Sequence, residues 1–151
     1  MKLIAHRGNT RGPNQIRENS PKYIQEAITQ GFDVEIDIRY RDGIFYLGHD
    51  EPQYQTTLSW LVERKYNLWI HCKDLDSLNV FCSNPVDFNY FWHQEDDFTL
   101  TSKNYIWTYP GKEYGPKSVI VMPEYNIDID KLQSLISLNC EGICSDYVGV
   151  L

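Results

Sequence analysis

The chain has 151 residues, a formal net charge of −7 and a sequence pI of about 5.0. A surface of that sign suits neither nucleic acid nor anionic lipid, both of which require a basic face. No apolar run is long enough to span a bilayer and the N-terminus, MKLIAHRGN, has no signal-type stretch, so one cytoplasmic domain over residues 1–151 is expected.

Leu3 to His6 is a short apolar run that fits a buried strand. Ser20 and Pro21 read as an N-cap and first helical residue, opening a helix through about Gln30 that Gly31 stops. Val34 to Tyr40 alternates as a strand, Asp42-Gly43 marks a tight turn, and Ile44 to Leu47 is the return strand. A helix over Thr57 to Lys65 precedes a strand over Asn67 to Lys73, and a further helix covers Leu75 to Cys82.

Beyond Pro85 the pattern changes. Phe88 to Trp92, Tyr105 to Tyr109 and Val119 to Met122 read as strands separated by loops or a small hairpin. A helix over Ile129 to Leu138 then leads to a last strand, Gly142 to Ser145. Strand–helix alternation predicts an α/β protein with a parallel sheet. A full (β/α)8 barrel takes about 250 residues, so the expected form is a compact or reduced TIM-type barrel with several helices replaced by loops. Cys72, Cys82, Cys140 and Cys144 form no CxxC pair and no zinc spacing, so buried reduced thiols are expected.

Ionisable residues gather at the C-terminal ends of these strands. His6 and Arg7 end the first, Glu35 and Asp37 share a face of the second, and His71 and Lys73 share a face of the third. Taken singly, each has an ordinary structural explanation: a hydrogen-bonded histidine, a polar strand face in water, a solvated lysine. Together they occupy the end of a barrel where active sites form. Two carboxylates, an imidazole and an ammonium gathered there call for a cation or an anionic ligand between them.

The ordered set His6-Arg7-Gly8-Asn9, Glu18-Asn19-Ser20, Glu35-x-Asp37 and Gly48-His49-Asp50-Glu51-Pro52 resembles the signature of the glycerophosphodiester phosphodiesterases. The resemblance covers about the first third of the chain and thins afterwards to Lys73 and a closing Asp146. It implies a phospholipase C-like barrel that cleaves a small phosphodiester with a divalent cation. It further implies His6 and His49 as the acid/base pair, Arg7 and Lys73 on the phosphate, Glu35 and Asp37 on the metal, and Glu18 and Asn19 in support. Two near-neutral imidazoles suit a reaction in which one oxygen loses a proton and another gains one.

Three departures accompany the resemblance. His71 stands where the family has a glutamate, which shifts the expected ion from Mg²⁺ or Ca²⁺ towards Mn²⁺ or Zn²⁺ and makes His71 a candidate ligand. The family's insertion after the His-Asp motif is missing, leaving a more open pocket. A two-residue turn at Asp42-Gly43 would pair Ile36 with His49 and turn His49 away from the carboxylates, so the hairpin must break, with Gly48 the place for it. Two other readings stay open: a sphingomyelinase D-type transfer giving a cyclic phosphate, and a barrel that binds a phosphate ligand or partner without cleaving it.

Overall fold

Alternation along the strands divides the structure into an outer layer and an interior. The computed structural model describes residues 1–151. Lys2–His6 forms β1, Pro21–Thr29 α1, Asp33–Arg41 β2, Ile44–Leu47 β3 and Tyr54–Thr56 β4. Leu58–Arg64 forms α2, Leu68–Cys72 β5 and Leu75–Ser83 α3. The remaining strands are β6 (Tyr90–Phe91), β7 (Phe98–Leu100), β8 (Ile106–Thr108), β9 (Ser118–Val121) and β10 (Gly142–Ser145).

The strands join one curled sheet. Its parallel part runs β6-β5-β2-β1-β10-β9-β8, with β3 and β4 added antiparallel beyond the end of β2 and β7 antiparallel to β8. Val34, Ile36, Ile38, Leu68 and Ile70 pack with Ile24 and Ala27 of α1, Leu61 of α2 and Phe81 of α3. The opposite strand face gathers Ile4, Trp69, Phe91, Trp107, Val119 and Cys144 into an interior cluster with no helical member. This parity sends Glu35, Asp37 and His71 inward, above that apolar plug.

The curled α/β sheet is consistent with a reduced barrel but is not a complete eight-fold one. No strand ladder joins β6 to β8. The gap is spanned by the β7 segment through four hydrogen bonds: Ser102 N–H to Tyr90 O (2.9 Å), Tyr90 N–H to Ser102 Oγ (3.0 Å), Ser102 Oγ to Phe88 O (2.8 Å) and Thr99 Oγ1 to Trp92 O (2.9 Å).

Several expectations change in detail. The segment after Pro52 forms a third strand of the hairpin, β4, where a bare connection was expected, and the strand over Phe88 to Trp92 shrinks to two residues. The helix expected over Ile129 to Leu138 is a 3-10 helix, Ile129–Ser137. Its sequence explains the change: Ile129, Leu132, Leu135 and Leu138 recur every third residue, and a three-residue turn stacks them on one side. Leu132 and Leu135 are buried there against Ile143.

The hairpin breaks where the sequence demands it. Asp42 and Gly43 both have positive φ, 50° and 81°, as a two-residue turn of matching twist requires. The ladder ends at Ile38–Leu47. Gly48, at φ 147°, then leaves it, and a Cβ there would meet Glu51 O at 2.1 Å. All four cysteines are free. Cys72 and Cys144 are buried as expected, whereas Cys82 is exposed and Cys140 half-buried. No helix is long and apolar enough to cross a membrane.

Candidate active site

Strands β2 and β5 are parallel neighbours with Asp37 opposite His71 and Glu35 opposite Trp69, which brings three potential ligands together. His71 Nδ1 lies 3.4 Å from Asp37 Oδ1 and 3.6 Å from Glu35 Oε1. One donor atom from each residue lies within 4.8 Å of the others. The other ring nitrogen, Nε2, is 2.9 Å from the carbonyl of His93. A carbonyl only accepts, so Nε2 carries a hydrogen, which leaves Nδ1 as the ring atom that faces the two carboxylates.

This donor set fits a divalent cation. Asp37 is fully buried and its Oδ1 has no hydrogen-bond donor, while Lys73 Nζ stands off at 3.8 Å. A buried carboxylate oxygen with no hydrogen-bond donor has a lone pair that a cation could take. Burial opposes charge on His71, yet the carboxylates of Asp37 and Glu35 beside its Nδ1 outweigh that and push it up to about 9. Burial likewise opposes charge on Asp37, but His71 and Arg7 hold it well below the usual carboxylate range.

The first two sequence motifs interlock around Asp37. Arg7 and Asn19 both have positive φ, 53° and 61°, and Asn19 N–H donates to Arg7 O at 3.0 Å. The Asn19 side chain donates to Asp37 Oδ2 and accepts from Asp37 N–H, each at 2.9 Å. Arg7 Nε pairs with Asp37 Oδ2 at 3.0 Å without an aligned hydrogen bond, and Arg7 Nη1 donates to Glu18 Oε2 at 3.3 Å. Glu18 and Asn19 thus hold Arg7 and Asp37 in place.

His6 ends β1 with Nδ1 2.8 Å from Asp146 Oδ1 and Nε2 4.0 Å from Glu35 Oε2. Burial works to lower its pKa, but the hydrogen bond to Asp146 prevails and raises it. Asp146 also accepts from Asn9 Nδ2 at 2.8 Å, and its own N–H donates to Glu124 Oε1 at 2.8 Å. Asp146 closes the last strand in the sequence pattern. Its pairing with His6, 140 positions away in sequence, comes from the β1–β10 ladder.

His49 sits on the loop that Gly48 turns out of the hairpin. Arg39 fixes this loop by donating to the carbonyls of Gly48 and His49, and His49 Nδ1 is 2.7 Å from Asp50 Oδ1. Its side chain is 39% exposed, at the rim.

One cavity of about 270 Å³ is lined by His6, Arg7, Glu35, His49, His71 and Lys73 together. Asp37 lies beneath it, fully buried. All four histidines of the chain face this cavity, because His93 lines it too, with Gln94, Tyr109 and Tyr125. These last four are absent from the sequence-based set. A signal for His93 existed: it lies two residues past Phe91, so strand parity places it on the inward face, one residue beyond the strand end read from the sequence. No protein-family model and no curated protein matches the chain.

Proposed function

We propose that this chain is a divalent-cation-dependent phosphodiesterase acting on a small phosphodiester, with the chemistry of the glycerophosphodiester phosphodiesterases. One observation carries the reading. His6, Arg7, Glu35, His49, His71 and Lys73, drawn from four separate segments, line a single cavity.

In this mechanism Arg7 and Lys73 hold the phosphate oxygens by charge-assisted hydrogen bonds. Glu35, Asp37 and His71 would hold the ion, which when bound supplies positive charge against the non-bridging oxygens. His49, at the solvent-facing rim, takes the proton of the attacking water as a new P–O bond forms. His6 gives its Nε2 proton to the departing alcohol oxygen as the old P–O bond breaks. Asp146 suits His6 to the acid role, because a carboxylate on Nδ1 stabilises the imidazolium.

The exposure of His49 favours water over the substrate's own hydroxyl as the attacking group, so an open monoester is expected. A cyclic phosphate in the phosphorus NMR spectrum would assign the transfer reaction instead. A purely ligand-binding role leaves the His6–Asp146 pair without a purpose. The decisive test is turnover of bis(4-nitrophenyl) phosphate with Mg²⁺, Ca²⁺, Mn²⁺ or Zn²⁺. On a dialkyl phosphodiester, whose departing alkoxide needs a proton as 4-nitrophenolate does not, His6→Ala is expected to lose at least about a hundredfold in kcat with unchanged circular dichroism; full activity of that variant on the dialkyl diester excludes the acid role.

A further inference from the structure

The mechanism above uses three of the four histidines in the cavity and leaves the fourth with nothing to do. His93 is 8% exposed. Neither of its ring nitrogens has a hydrogen-bond partner. Its backbone carbonyl is committed to His71 Nε2, which fixes the main chain and leaves the ring free to serve the cavity. The ring lies 5.4 Å from that of Tyr109 and 6.4 Å from that of His71, so it stands between the proposed ion site and the aromatic wall.

Buried polar groups in folded proteins are almost always partnered, and an unpartnered one at a cavity wall marks where a ligand supplies the missing partner. The chemistry of that partner follows from the ring. A neutral imidazole offers one N–H donor and one lone pair, and a hydroxyl group offers the same two in return. A quaternary ammonium offers neither. A carboxylate or second phosphate offers only acceptors and leaves the lone pair of a neutral ring unmatched.

Resting on the phosphodiesterase reading, we infer that His93 is a specificity-determining residue that reads a hydroxyl on the alcohol half of the substrate. The phosphate sits at the Arg7–Lys73 side, and the alcohol extends along the wall of His93, Gln94 and Tyr109. The preferred substrates are diesters of neutral polyols. Simple alkyl or cationic alcohols lack the group that satisfies the imidazole. Removing one partner of such a buried pair weakens binding more than never having built it, because the other partner remains desolvated and unpaired.

The test is calorimetric binding of glycerol 3-phosphate and propyl phosphate, which share a phosphate and a carbon chain and differ in hydroxyls. Both are titrated in the presence of Mn²⁺ into wild type, His93→Phe and His93→Gln. Wild type is expected to favour glycerol 3-phosphate by about tenfold. His93→Phe keeps the packing on Tyr109 and is expected to bind the two ligands equally. His93→Gln, which retains a donor and an acceptor, is expected to recover part of the preference. Equal affinities in wild type, failure of wild type to bind glycerol 3-phosphate, or a preference that survives in His93→Phe each overturns the assignment. Binding needs no turnover. A preference that depends on His93 in a protein that cleaves no diester would sink the hydrolytic reading and leave the assignment of His93 standing.

Discussion

Asn19 is the residue through which the fold and the site depend on each other most directly, and its replacement by alanine has a calculable cost. It is 1% exposed, holds φ at 61°, and makes two 2.9 Å hydrogen bonds to Asp37. Losing the bond to the charged Oδ2 costs about 1.5–3 kcal/mol, and leaving the Asp37 N–H unpaired costs about 1–3 kcal/mol. Alanine at positive φ adds about 1 kcal/mol of backbone strain that asparagine tolerates. These terms share one network and do not add fully, so Asn19→Ala is expected to lose about 3–5 kcal/mol. That is a large part of a typical domain stability of about 5–15 kcal/mol. Urea unfolding read by tryptophan fluorescence measures it. Asn19→Gly, which relieves the strain but not the lost bonds, should recover about 1 kcal/mol of the deficit. A loss below about 1 kcal/mol for Asn19→Ala would refute the claim that this side chain anchors Asp37.

In EDTA-stripped protein, a divalent ion at a hundred times its Kd should add about 2.7 kcal/mol and raise Tm by about 5–10 °C, with no shift in Glu35→Gln; differential scanning fluorimetry decides. Without cation, His71 is raised in the folded state. Its contribution is therefore fully present below its unfolded pKa of about 6.5 and lost as pH rises towards about 9. Stability in EDTA should fall across that window by up to about 3 kcal/mol, and a pH series of unfolding midpoints in His71→Gln should be flatter. Arg39→Ala frees the carbonyls of Gly48 and His49 and should lower kcat by about tenfold with little change in Tm; steady-state kinetics beside a melting curve tests it. With a chromogenic disulfide reagent, the exposed Cys82 should react first, while buried Cys72, whose thiol is pushed up to about 12, and Cys144 should react only on unfolding.

The front half of the molecule was legible because its signals are local. Alternation across Val34 to Tyr40 sets which side chains share a face, and Asp42-Gly43 sets the hairpin register that forces the break at Gly48. The grouping of Glu35, Asp37 and His71 follows from strand parity plus the parallel pairing of β2 with β5. What stayed hidden depends on pairing between distant segments. The tie between His6 and Asp146 needs the β1–β10 ladder, and sequence spacing carries no trace of it. His93 lay one residue outside a strand whose ladder is only two residues long, and such a short strand leaves a weak periodic signal. The three-residue spacing of Ile129, Leu132, Leu135 and Leu138 was in plain view but also satisfies one side of an α-helix, so packing decided between them.

The β7 segment that stands in for a ladder between β6 and β8 makes the ring a clasp more than a hoop. Four hydrogen bonds hold it, whereas the β1–β10 and β2–β5 ladders run to four and five residue pairs. Protein engineers who wish to enlarge the chamber therefore have a natural place to cut. Residues grafted between Gln94 and Phe98 would lengthen the fastening and leave every parallel pairing in register.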